Sequence, residues 1–340
     1  MKKLKIFAFA VGAMLALTGC GSKIELPTAI NNSTKINSFS YNFSLEGSSA
    51  ALNDLTEGYG IESDKVEVGL EGRMKKEDGR VKNYTEISAA YGGLSIEVPT
   101  YMDVSETEFD FDLFVGIPAI IKDYVEDGKT NLYLSSSELK DYLKEVMDDE
   151  EYQKFNNSLE DINKQDSVNK KIADDITKSF FDYIDKNNSQ VQVFEKIEGL
   201  KTSANGMYTI TLTKDDLKQM FTEFLNNTNY YNDLKDFVQK TDESIEDFPE
   251  AEELINKFNE ALDDINELSL VLTFTIKDKI VVGTKIDIKI IDLDDNVTNL
   301  IYKIELSDIN KEMDIIMPEK NADSTLNIME YLKGFGMGLY

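Results

Sequence analysis

Cys20 is the only thiol in 340 residues, and no histidine accompanies it anywhere in the chain. Those two counts remove most of the usual catalytic inventory. Ser-His-Asp triads and Cys-His dyads cannot be assembled, and zinc or copper held by imidazole has no ligands. What remains is carboxylate chemistry, carried by 64 Asp and Glu residues. Paired carboxylates can hydrolyse a glycosidic bond, but no spacing here singles out a pair. Oxygen-ligated calcium is the other option. Asp292-Leu-Asp-Asp-Asn296 places Asp, Asp and Asn at the first, third and fifth positions of a calcium loop. Val297 stands where such a loop needs glycine, and Lys303 where it needs glutamate. The stretch therefore reads as a polar turn between strands, and neither a metal nor a cofactor is expected.

Cys20 itself closes a leader. Lys2, Lys3 and Lys5 precede an apolar run from Ile6 to Leu17, broken only by Gly12. That order matches a secretory signal peptide, and the run is too short to span a bilayer comfortably. Leu17-Thr18-Gly19-Cys20 resembles the bacterial lipobox, in which the Cys thiol receives a diacylglycerol and becomes the new first residue. The expectation is a signal peptide over 1–19, lipidation at Cys20, and a body anchored on the extracytoplasmic face of the cell membrane. Taking the three leader lysines from 36 basic residues leaves 33 against 64 acidic ones, so the formal charge moves from −28 to −31. A charge of that sign repels nucleic acid, and no nucleic-acid partner is expected. With Cys20 acylated no disulfide can form, so packing alone must hold the fold.

Periodicity supplies the elements. Residues 20–36 are polar, carry Pro27, and read as a lipidated tether. Phe39, Tyr41, Phe43 and Leu45 then fall at every second position, the mark of a half-buried strand. Val66 to Met74 repeats the alternation, and Asp78-Gly79 is a hairpin dipeptide leading into a strand near 80–90. Gly92-Gly93 turns the chain into Leu94, Ile96 and Val98, and Phe109, Phe111 and Leu113 alternate again. Tyr124-Val125 and Asn131–Leu134 flank Glu126-Asp-Gly-Lys129, a further hairpin signal. No crossover helices separate these strands, so the sheet is expected to be antiparallel.

At Ser135 the period changes. Leu139, Tyr142, Leu143, Val146 and Met147 fall on one helical face behind a Ser135-Ser-Ser-Glu138 capping box. Ile172, Ile176, Phe180, Tyr183 and Ile184 define another helix after a polar stretch at 156–170. A strand near Val191–Phe194 leads to Asn205-Gly206, a type I′ dipeptide, and then to Met207–Leu212. Met207–Leu225 repeats the plan of Asn131–Met147: strand, capping Ser or Thr, then an acidic helix start. Further helices are expected over 230–240 and 251–268. Leu268 to Ile276 alternates without a miss, and Ile280–Val282, Ile286–Ile290 and Leu300–Leu306 follow, one face apolar and the other wet. Glu319–Tyr340 carries a weak helical pattern at Leu326, Met329 and Tyr331 and reads as a frayed tail.

The order of parts is distinctive: lipobox, strand pairs, Gly116-Ile-Pro-Ala-Ile-Ile121, capped helices, and a meander closing on Leu306-Ser-Asp-Ile-Asn-Lys-Glu-Met-Asp-Ile-Ile-Met-Pro318. It resembles the LolA-like lipoproteins, among them mycobacterial lipid-carrier lipoproteins and Gram-positive relatives. The resemblance covers residues 37–318 and implies an α+β domain. Its sheet would be a strongly curved antiparallel half-barrel with amphipathic helices packed on the concave face and acyl chains held between. Ile117, Ala119 and Ile120, with Leu217, Met220, Phe221 and Phe224, are then the expected cavity lining. The implied partners are the membrane, through the anchor, and a lipid or other hydrophobic ligand. The acidic helical region 135–268 departs from that pattern and could fill the space itself. The chain would then be a surface interaction module, an adhesin or envelope accessory protein, with a solid core. Both readings are non-enzymatic.

Overall fold

The computed structural model describes residues 25–49, 65–91, 94–120, 125, 128–187, 192–195, 206–241, 247–321 and 323–329. Helix α1 (Glu25–Ser33) precedes β1 (Ser38–Ser49), β2 (Lys65–Glu77), β3 (Arg80–Tyr91), β4 (Leu94–Ser105), β5 (Phe111–Gly116) and β6 (Asn131–Ser135). Helices α2 (Ser136–Val146) and α3 (Asp149–Lys186) lead to β7 (Gln192–Glu195) and β8 (Gly206–Thr213). Then come α4 (Lys214–Asn226), α5 (Thr228–Thr241), α6 (Ala251–Asp263), β9 (Ile265–Lys277), β10 (Ile280–Asp292), β11 (Val297–Ser307) and β12 (Thr325–Asn327). The protein is α+β, and its large sheet runs β12-β6-β5-β4-β3-β2-β1-β11-β10-β9-β8-β7 without closing. Expected as antiparallel, the sheet is mixed: β12 lies parallel to β6, Leu326 opposite Leu132.

Turn chemistry sets the registers. Asp78 and Gly79 take φ of 53° and 73°, the left-handed pair that matches the twist of a hairpin. β2 and β3 consequently pair without a slip from Val66↔Tyr91 to Glu77↔Arg80. Between β9 and β10 the same geometry falls on Asp278 and Lys279, at 51° and 64°, with no glycine to ease it. Asn205-Gly206 behaves differently from its dipeptide signal. Gly206 opens β8 and pairs with Ile276, Glu195 pairs with Met207, and residues 196–205, Asn205 among them, lie between the two strands outside the described residues.

The chain divides into two compact units. The first takes residues 1–35, 47–64 and 165–303. Its core is built on alternation: Leu268, Leu270, Leu272, Phe274 and Ile276 of β9 are each at most 5% exposed. The helices meet this strand face through Phe180, Tyr183 and Ile184 of α3, Leu217 of α4, and Phe258 and Leu262 of α6. Thr213 caps α4 with a complete capping box, its side chain accepting from the Asp216 amide while the Asp216 carboxylate accepts from the Thr213 amide. Tyr183 donates to Asp216 at 2.7 Å, which ties α3 to that helix start. Burial pushes Asp216 up, but the bonds from Thr213 and Tyr183 outweigh it and hold the carboxyl below its ordinary value.

The second unit takes residues 36–46, 65–164 and 304–340. Here α2 covers the β6 end of the sheet, with Tyr142 and Leu143 clustered around Leu134 and Met329. Ser135 is the N-cap of α2, accepting from the Glu138 amide at 3.3 Å, as the Ser-x-x-Glu pattern requires. The strand-then-capped-helix plan shared by 131–147 and 207–225 thus appears once in each unit.

Four expectations need correction. The stretch read as a tether over 20–36 contains α1, whose Leu26, Ala29 and Ile30 are at most 5% exposed in the first unit's core. The 251–268 helix stops at Asp263, and Ile265 already belongs to β9. The polar stretch at 156–170 lies inside α3 and does not interrupt it. In the stretch read as frayed tail, Thr325–Asn327 form β12 and Met329 just after them is buried, so ordered structure extends beyond the expected 37–318 on both sides. The expected strand at Tyr124-Val125 and its Glu126-Asp127 turn fall largely outside the described residues.

Candidate ligand-binding face

Pairing in the second unit aligns its apolar positions into rows. Leu70, Ile87 and Val98 are register partners across β2, β3 and β4, and Val68, Ala89 and Ile96 form the next row. None of these six side chains is buried; Ile87 is 36% exposed and Ile96 42%. The equivalent row in the first unit, Ile210–Leu272–Ile286, stands at 0, 1 and 4%. Period-2 patterning is the same in both. Among the described residues, only the first unit's row is fully buried.

A polar island interrupts the second unit's face. Gly72, Thr85 and Thr100 are successive register partners, with Asn83 two positions from Thr85 on the same face. The Tyr41 hydroxyl reaches over Gly72, lying 2.5 Å from the Thr85 hydroxyl and 3.0 Å from Asn83 Oδ1, and Asn83 Nδ2 donates to Thr85 at 3.1 Å. A Cβ on Gly72 would lie 2.2 Å from the Tyr84 carbonyl oxygen and 2.6 Å from the Tyr41 hydroxyl, so glycine is what lets the tyrosine lie down. These three side chains close a hydrogen-bonded ring. The Thr100 hydroxyl is left out of it, sealed from solvent and without a hydrogen-bond partner in the protein.

Further along β1–β4 lies an open depression of about 170 Å³, with Glu46, Glu67 and Glu97 among its walls and Gly69, Ser88 and Ala90 among its small residues. Ligand pockets for drug-sized molecules run to roughly 300 Å³ or more. This one has room for a small group and no more.

The residues expected to line a cavity fall into two places. Leu217, Met220, Phe221 and Phe224 all sit in the first unit's packed clusters. Phe221 lies 4.1 Å from the Phe258 ring, and Phe224 stacks on Tyr230 at 5.4 Å. Ile117, Ala119 and Ile120 belong to the second unit, where Ala119 is exposed and Ile120 is 66% exposed. Cys20 and the leader lie outside the described residues.

At Asp292 the loop is a turn held by its own backbone. The Asp292 carboxylate accepts from the amides of Asp294 and Asn296, both at 2.9 Å, and from Asn296 Nδ2 at 3.0 Å. Those bonds hold the carboxyl below its ordinary value and engage both of its oxygens. Among the described residues no group of three or more Asp, Glu, Cys or His side chains converges as a metal site.

Sequence reading passed over the island, although it left a trace. Gly72, Asn83, Thr85 and Thr100 occupy inward positions of alternating strands where an apolar residue was due. No family model matches this chain, and neither the curated proteins nor the solved structures contain a significant match to it.

Proposed function

We propose that this chain is a non-enzymatic, lipid-anchored protein of the extracytoplasmic membrane face that holds a hydrophobic ligand against the apolar face of β1–β4. The half-exposed rows through Ile87 and Ile96 are the observation that carries this reading. A sheet face left this open forfeits about 25 cal/mol for each Å² of apolar surface still wet, and an acyl chain laid on it gains about 0.8 kcal/mol per buried methylene. The island gives the ligand a chemistry as well. Thr100 has a hydroxyl with no protein partner, placed to meet the ester or carboxyl oxygen of an acyl lipid as the strands adjust. On this reading the fold is a LolA-like half-barrel, and its acyl site lies on the second unit's sheet, while the tight clusters around α4 take no ligand. The packed row Ile210–Leu272–Ile286 favours the alternative for the first unit, a solid scaffold whose acidic surface meets a protein partner.

The test is binding of a fluorescent fatty acid to delipidated protein. Ile87→Glu and Ile96→Glu place charge on exposed positions, so they should leave unfolding unchanged while weakening binding about tenfold or more. Equal affinity in wild type and both variants would end the acyl-carrier reading and leave the interaction module.

A further inference from the structure

Helices α3 and α5 meet in an apolar cluster that includes Ile172 and Ile176 from one and Leu234, Phe237 and Val238 from the other. Beside it two carboxyls face each other, Asp175 on α3 and Asp233 on α5. Lys171 Nζ donates to Asp233 Oδ1 at 2.6 Å. Asp175 Oδ2 is sealed from solvent and receives no hydrogen bond from the protein. Lys171 is bonded to Asp233, and neither it nor Lys178, whose charge also acts on Asp175, donates to the sealed Oδ2, so two ionised carboxylates facing each other here repel with little to offset the second charge. A proton shared between them resolves the conflict.

We propose that Asp175, Asp233 and Lys171 form a proton-operated clasp, in which a shared proton holds α3 against α5 and its loss lets the two helices part. Burial pushes the Asp175 carboxyl up to about 6, the bond and charge of Asp233 add to that rise, and Lys171 and Lys178 oppose it. Asp233 is held low, first by its bond from Lys171, a lysine that Asp175 and Asp236 also face. A carboxyl raised above its ordinary 3.8 lends stability that is complete below that value and is lost as pH rises through about 6. The chain contains no histidine, so no side chain of ordinary pKa titrates between about pH 5 and pH 7 to imitate the effect. The clasp closes when the surroundings acidify.

Amide hydrogen exchange on the full chain, corrected for intrinsic rates, reads the helices directly. In wild type, opening of 171–184 and 228–238 should rise about tenfold or more between about pH 5 and pH 7.5, while β9 stays unchanged. Asp175→Asn should keep both helices slow at either pH. A wild type with equal opening at both pH values, or an Asp175→Asn protein that retains the rise, overturns the clasp. Should Asp175→Asn fail to fold, Asp233→Asn serves instead. Without the opposing charge Asp175 ionises at lower pH, so the rise should move towards about pH 5, and an unmoved midpoint overturns the proposal equally.

Discussion

The sheet is written in one code along its length and finished in two ways. On β9 every second side chain from Leu268 to Ile276 is held to about a twentieth of its full exposure or less, in a cluster to which four helices contribute. On β2–β4 the same alternation ends half wet, and the most buried points are a glycine and a threonine under a tyrosine ring. Alternation therefore encodes which side of a strand is apolar. It does not encode what lies on top. Cover depends on segments remote in sequence, and in the first unit those segments are rich in Phe, Leu and Ile at helical spacing.

The largest effect should separate the two faces outright. Leu272→Ala, at 1% exposure, is expected to cost about 3–4 kcal/mol in urea unfolding. Leu70→Ala, on the half-open face, should cost about 1 kcal/mol, since the site already meets solvent and leaves little cavity. Similar costs at the two positions would erase the distinction between the faces.

Next is Gly72→Ala, which adds a single methyl where the Tyr84 carbonyl and the Tyr41 ring already sit. It should destabilise by about 2 kcal/mol by pushing the strands or the ring apart, and near-ultraviolet dichroism from Tyr41 should report the displacement. An unaltered spectrum and stability would mean that the ring does not rest on the glycine.

Smallest is the comparison of the two helix starts. Thr213→Ala and Ser135→Ala each remove a side-chain acceptor from a first turn and should each cost about 1 kcal/mol. Thr213→Ala should be the larger, because its loss also frees the Asp216 carboxylate that Tyr183 holds. A larger loss for Ser135→Ala would reverse the ranking of the two caps.

Strands and caps were legible because their signals are local. Leu268 to Ile276 declares its period in nine consecutive residues, and Asp78-Gly79 or Thr213-x-x-Asp216 names a turn or a cap in four or fewer. Helix α1 was not, since Leu26, Ala29 and Ile30 mark barely one turn among polar neighbours and Pro27. Nine residues are too few to form a helix without tertiary burial, which the sequence does not display. β12 is shorter still, three residues whose strand partner is a parallel neighbour nearly two hundred positions earlier. The carboxyl pair was invisible for a related reason. Asp175 and Asp233 are two among 64 acidic residues, and only the packing of α3 on α5 brings them together.

Under the proposed lipidation of Cys20, helix α1 also sets a mechanical condition on the anchor. Only Gly21, Ser22, Lys23 and Ile24 separate Cys20 from Glu25, a leash of about 14 Å at full extension. On that proposal the folded body cannot swing out through a thick envelope and would ride within one small-domain diameter of the headgroups. Shedding is restricted in the same way. A protease that cuts within those four residues releases an intact body, whereas a cut only a few positions later pulls Leu26, Ala29 and Ile30 out of the core. Soluble fragments recovered from the medium should therefore begin between Gly21 and Glu25.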